Sequence, residues 1–140
     1  MYLLDTNVVS ELRKKRPHGA VLAWVGAADD ATLFLSAVTI GEIQAGIEKT
    51  REDDPGKAAE IEQWLEQVAA SYQVLPMDAA SFREWGRLTH RKSNTVLEDA
   101  MIAATARMHD LVVVTRKVAD YKMLGVRTLD PFKSSGPGDG

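Results

Sequence analysis

The sequence predicts an α/β fold: a three-layer sandwich around a mainly parallel central sheet of four to five strands. Three observations carry that expectation. Short apolar or β-branched runs recur at Leu3-Leu4, Leu33-Phe34-Leu35-Ser36 and Leu111-Val112-Val113-Val114, too short for helices and too continuous for strands with one wet face. Between them lie stretches of helical period, one or two per interval, and strands alternating with helices build parallel crossover units. The chain has 140 residues, 45% of them apolar, which is enough for one sizeable core and too little for two.

Met1 to Leu4 reads as a buried central strand, and Thr6-Asn7 supplies turn and cap chemistry leading into a helix over Val8 to Lys15. Pro17 stops that helix, and Ala20 to Val25 forms a second, short one. Leu33 to Ser36 is the second strand. Thr39 is expected to open a helix with Ile40, Ile43, Gly46 and Ile47 facing inward, Gly46 admitting a close neighbour. The polar breaker Arg51 to Gly56 separates it from an amphipathic helix over Lys57 to Ser71, with Ile61, Trp64, Leu65 and Val68 on one stripe.

Tyr72 to Pro76 is a short strand, and Asp78 caps a helix over Ala79 to Arg91 that Ser93-Asn94 breaks. Glu98 to Ala106 is the most apolar helix, rich in small residues and therefore central. Leu111 to Val114 gives the strongest strand signal, followed by a helical turn over Ala119 to Leu124 and an edge strand at Val126 to Thr128. Lys133 to Gly140 is rich in Ser, Gly and Pro and is expected to be a disordered tail, leaving 1–132 as one domain.

Composition narrows the chemistry. No run of about 18 apolar residues occurs, and the N-terminus lacks a basic region followed by a cleavage site, so the sequence supports neither a membrane span nor a signal peptide. A cytoplasmic protein is expected. With no cysteine, and with His18, His90 and His109 scattered, thiolate and imidazole metal sites are excluded, so any metal must be a hard one held by oxygen. A net charge of -3 argues against coating nucleic acid through bulk electrostatics. Local cationic patches remain at Arg13-Lys14-Lys15-Arg16, at Arg87, His90, Arg91 and Lys92, and at Arg116, Lys117 and Lys122. Each also reads as a solvated helix end.

Four acids stand out. Asp5 follows the first strand, Glu42 lies near the start of the third helix, Asp99 opens the small-residue helix, and Asp120 follows the fourth strand. In a parallel sheet the carboxyl ends of the strands share one edge, and acids just beyond them gather there. Each has a plainer reading. Asp5 can cap its helix, and Glu42 can close a capping box with Thr39, as Glu98 can with Thr95. Asp120 can be a surface acid on a short turn. Asp99 has the least adequate structural explanation, because a carboxylate at the mouth of a buried helix needs a reason beyond the helix dipole. Clustered carboxylates call for a divalent cation, and Mg²⁺ prefers oxygen and substrate phosphate.

At these residues the chain resembles the PIN-domain ribonucleases, specifically the VapC- and FitB-like toxins of type II toxin-antitoxin pairs. The resemblance runs from Met1 to about Phe132. It is carried by Leu3 to Glu11, Leu35 to Glu42, Glu98 to Ala106 and Val113 to Arg116. It implies that Asp5, Glu42 and Asp99 take the acidic metal-site positions, with Asp5 and Asp99 as direct ligands and Asp120 as a fourth catalytic acid. Thr6 and Thr115 correspond to supporting polar residues. The chain departs from the family pattern at Lys117, where members commonly carry Asn or Asp. Asp120 then stands three residues on, acting through water, and Lys117 either contacts phosphate or is solvated.

The resemblance further implies a Mg²⁺- or Mn²⁺-dependent endoribonuclease that arrests translation, cutting structured RNA, tRNA included. It also implies a homodimer, often within a larger assembly, blocked by a cognate antitoxin. Arg13, Lys14, Lys15, Arg116 and Lys117 are the candidate RNA contacts. Two other classes compete. A phosphotransferase using Asp5 as nucleophile lacks its Asp-x-Asp-x-Thr signature, since Asn7 stands where the second aspartate belongs. A PIN-fold module that binds protein or nucleic acid without cutting is the other, with Lys117 having degraded the metal site.

Overall fold

The computed structural model describes residues 1–92 and 97–133. Its element order is β1 (Tyr2–Leu4), α1 (Thr6–Arg13), α2 (Gly19–Ala27), a 3-10 turn, β2 (Leu33–Ser36), α3 (Ala37–Asp53), α4 (Pro55–Ser71), β3 (Gln73–Leu75), α5 (Ala79–Thr89), α6 (Leu97–Met108), β4 (Val112–Val114), α7 (Val118–Met123) and β5 (Thr128–Leu129). The strands form one sheet in the order β3-β2-β1-β4-β5, and every neighbouring pair is parallel. The expected α/β sandwich is therefore present, with a sheet that is wholly rather than mainly parallel.

Alternation along the strands builds the three layers. Leu3 and Val113 project into the core shared with Ile102, Ala103, Ala106, Tyr121 and Leu124. Leu4, Leu35 and Val114 project the other way, onto Val8, Val9 and Val21. With both faces covered, the strands can be apolar throughout, which is why they read as continuous runs. The small residues of α6 let it pack closely, and Ala100, Ala103, Ala104 and Ala106 are fully buried.

Three local expectations are corrected. α3 opens at Ala37, capped by Ser36, whose hydroxyl accepts from Val38 N at 3.0 Å, so Thr39 is already inside the helix. The helix then runs on to Asp53, through half of the expected breaker, and Pro55 starts α4 in the first-turn position where proline is tolerated. A Cβ at Gly46 would meet nothing within 4 Å, so no element approaches there. The break at Ser93-Asn94, the Thr95 half of the second capping box and residues 134–140 of the expected tail lie outside the described residues. Among those described, no helix is long and apolar enough to cross a membrane.

The strand order places the site. The chain leaves β1 on one side toward β2 and β3, then crosses back to lay β4 on the other side of β1. The strand order thus reverses between β1 and β4, and ligands of open parallel sheets bind beyond the strand ends at such a reversal. Asp5 and Thr115 are the first residues past those two strands.

Candidate active site

Asp5 is 3% exposed and is held from four directions. Its Oδ1 accepts from Thr6 N at 2.8 Å and from the Tyr121 hydroxyl at 3.0 Å. Its Oδ2 accepts from the Thr115 hydroxyl at 2.7 Å and from Asn7 Nδ2 at 3.0 Å. Asp5 is also the N-cap of α1, so the structural and the functional readings of this residue describe the same carboxylate. Burial raises its pKa above the ordinary range, opposed by the bonds from Thr115, Thr6 and Tyr121, and the charge of Asp99 adds to the rise.

Glu42 is not spent on a capping box, because Ser36 has taken the cap and Thr39 turns elsewhere. The Thr6 hydroxyl lies 3.0 Å from that of Thr39 and donates to Glu42 Oε1 at 3.0 Å. One threonine after β1 therefore joins α1 to α3. Burial, together with the neighbouring Glu98 carboxyl, raises the Glu42 pKa to about 7 against the bond from Thr6. Near neutral pH Glu42 is therefore partly protonated.

Asp99, in the first turn of α6, receives Lys117 Nζ on both oxygens, at 3.0 and 2.9 Å. The Tyr121 hydroxyl lies 3.5 Å from Asp99 Oδ1 as well as 3.0 Å from Asp5. Having one proton, it can donate to only one at a time. Burial and the charges of Asp5 and Asp99 push the Tyr121 pKa far up, which keeps it a donor. Desolvation works to lower the Lys117 pKa, but the bonds and charge of Asp99 and the fields of Asp5 and Asp120 outweigh it, and the ammonium stays charged. Asp120 is exposed in the first turn of α7 and reaches the cluster only through that field.

The cationic residues divide. Arg13 lines a groove of about 300 Å³ that begins at Thr6 and Glu42 and runs over Ile43 and Ile47 to Trp64. Lys14 is paired with Glu11 at 2.9 Å, and Lys15 is exposed. The Arg116 guanidinium lies 3.7 Å from the centre of the Phe132 ring, and its backbone N–H donates to Asn7 Oδ1 at 3.3 Å. Lys117 is inside the cluster itself.

Sequence reasoning overlooked three members of this site. Asn7 looked like turn chemistry, yet it braces Asp5 and lies 3.3 Å from the Thr115 hydroxyl. Tyr121 lay unremarked within the helical turn over Ala119 to Leu124, and only the fold shows its hydroxyl reaching Asp5. Glu98 looked like a cap partner, and its neighbour in space is Glu42.

The donor set fits a hard divalent cation in its chemistry. It is all carboxylate, the charge of Asp99 adds to the raised pKa of Asp5 and that of Asp5 to the raised pKa of Glu42, and a lysine ammonium lies among them as a stand-in cation. Among the described residues, however, no three acidic or imidazole side chains converge as a ready ligand set. Tyr121 and Lys117 fill lone pairs that a cation would need.

Comparison with known proteins gives the family. The PIN domain model matches residues 2–117. VapC ribonuclease Y4jK of Sinorhizobium fredii is 37% identical over 141 residues, covering 95% of this chain and 99% of that protein. Toxin FitB of Neisseria gonorrhoeae is 31% identical, with 94% and 99% covered. Among solved structures, FitAcB from Neisseria gonorrhoeae aligns with a TM-score of 0.85 at 28% identity, covering 95% of this chain and 99% of that one. FitAB bound to a DNA fragment aligns at 0.84, also at 28% identity, with 98% and 99% covered. The chain belongs to the PIN-domain family. Within that family it groups with the VapC- and FitB-type toxins.

Proposed function

We propose that this protein is the ribonuclease toxin of a toxin-antitoxin pair, hydrolysing RNA phosphodiester bonds with a divalent cation and thereby arresting translation. The observation that carries the reading is the cluster of Asp5, Glu42 and Asp99 at the sheet reversal, on a chain similar over nearly its whole length to proteins named VapC ribonuclease and toxin FitB. Residues 1–132 form the nuclease domain. Asp5 and Asp99 would hold Mg²⁺ or Mn²⁺ directly, with Glu42 facing the same opening and Asp120 acting more remotely. When bound, such a cation makes water a stronger nucleophile and offsets charge developing on the phosphate.

The rest is performed by the chain's own side chains. Thr115, Asn7 and Thr6 N fix the plane of Asp5, so its oxygens are placed before substrate arrives. Glu42, with a pKa of about 7, can take or give up a proton at neutral pH. Arg13, which lines the groove, together with Lys15 and Arg116, would supply phosphate attraction that the net charge lacks, with Lys14 and Lys117 adding to it once released from Glu11 and Asp99. The groove from Thr6 to Trp64 is a path for the RNA strand. Structured RNA such as tRNA is the substrate class proposed. A cognate antitoxin, a homodimeric or larger assembly and a cytoplasmic setting complete the reading.

One observation favours a second reading, a PIN-fold module that binds without cutting: Lys117 already neutralises Asp99. Incubating the purified protein with labelled RNA in Mg²⁺, in Mn²⁺ and in EDTA separates the two. Cleavage that needs the cation and disappears in Asp99→Asn supports the nuclease. RNA binding with no cleavage under any cation supports the module.

A further inference from the structure

We propose that Lys117 is a built-in cation of the site, which competes with a divalent ion for Asp99 and so sets how much metal the site needs. The inference rests on the metal-dependent reading above.

Three geometric facts carry it. Lys117 Nζ takes both oxygens of Asp99, at 3.0 and 2.9 Å, so neither oxygen of that carboxylate is without a cationic donor. Asp5 offers no easier entry, since its two oxygens already accept four donors, about the number of lone-pair sites a carboxylate has. Asp99 is therefore the acid whose occupant can be exchanged. Finally, Lys117 is built to exchange. Its backbone N–H is anchored on the Thr115 hydroxyl at 2.9 Å, while its side chain is 47% exposed on a flexible four-carbon stem. The ammonium can leave without any backbone movement, and Asp120, one turn further along α7, offers it a carboxylate on the solvent side.

Metal and ammonium cannot both hold Asp99 by two oxygens, so each weakens the other. Removing the ammonium should tighten metal binding by a factor typical of coupled sites, about 5- to 150-fold. A protein with Lys117 thus stays closed to metal at divalent concentrations that would fill the same site carrying a neutral residue.

The test measures Mn²⁺ binding, by the electron paramagnetic resonance of the free ion, on the full chain at fixed pH and ionic strength. The proteins compared are wild type, Lys117→Gln, Lys117→Arg, Asp99→Asn and the Lys117→Gln, Asp99→Asn double variant. Expected is at least 5-fold tighter binding in Lys117→Gln, near wild-type binding in Lys117→Arg, and no gain from Lys117→Gln once Asp99 is already Asn. Equal, measurable affinities in wild type and Lys117→Gln would overturn the competition while leaving the metal site standing. Absence of Mn²⁺ binding in every protein at millimolar concentration would overturn the metal reading and this inference with it.

Discussion

Replacing Glu42 with Gln should stabilise the metal-free protein at alkaline pH and change little in mild acid. The side chain has a folded pKa of about 7, raised first by burial and then by Glu98, against an ordinary value of 4.5. A carboxyl whose folded pKa is raised contributes stability that is fully present below the unfolded value and is lost as pH rises through the folded one. The window here runs from about pH 4.5 to somewhat above pH 7. Taken in full, the difference corresponds to roughly 3 kcal/mol, and solvent screening of a half-exposed group reduces the expectation to about 1 kcal/mol. Gln keeps the oxygen that Thr6 bonds and presents an N–H toward Glu98, as the protonated acid does. Urea denaturation in EDTA at pH 5 and pH 8 gives the two differences. A gain of about 1 kcal/mol at pH 8, or some 3 to 5 °C in melting temperature, that shrinks toward pH 5 is expected. A gain that is the same at both values, or absent at pH 8, would refute the assignment of a raised titration to Glu42.

Asp99→Asn should abolish RNA cleavage in a folded protein, a loss of orders of magnitude, whereas Asp120→Asn should be milder because Asp120 acts on the cluster only at a distance. Equal losses in the two variants would promote Asp120 to a direct role. The Lys14→Ala, Lys15→Ala pair should weaken RNA binding across sequences and reduce its salt slope by roughly 0.7 to 0.9 for each phosphate that these lysines neutralise. An unchanged slope would make that run a solvated helix end. Tyr121→Phe removes one of the four donors to buried Asp5 and should lower stability by about 1 kcal/mol in thermal melts. Wild-type stability would mean that Thr115, Asn7 and Thr6 N satisfy Asp5 without it.

The fold was legible where patterns are local. Runs such as Val112-Val113-Val114 and the stripe on α4 announce strand and helix from period alone, and their alternation makes the sheet parallel. The strand order was not legible, because nothing local reports that β4 pairs with β1 rather than with β3. Asp5, Asp99 and Thr115 were legible as residues past strand ends or at a helix mouth. Glu42 was ambiguous because Thr39 and Ser36 both offer cap chemistry, and only the backbone shows that Ser36 wins. Tyr121 was hidden for a different reason. α7 is six residues long, too short for its period to say which side chains turn back over the sheet edge.

The most direct measurement is the chemistry of the cut ends. RNA carrying a 5′ label, incubated with the protein in Mg²⁺ or Mn²⁺ and resolved by mass, should yield linear fragments ending in 3′-hydroxyl and 5′-phosphate. Cleavage should persist when the 2′-hydroxyl at the cut is methylated, because water rather than the neighbouring hydroxyl attacks the phosphorus. EDTA or Asp5→Asn should abolish the fragments. Fragments ending in 2′,3′-cyclic phosphate, formed equally well in EDTA by wild type and Asp5→Asn, would contradict a carboxylate-held cation as the centre of this site.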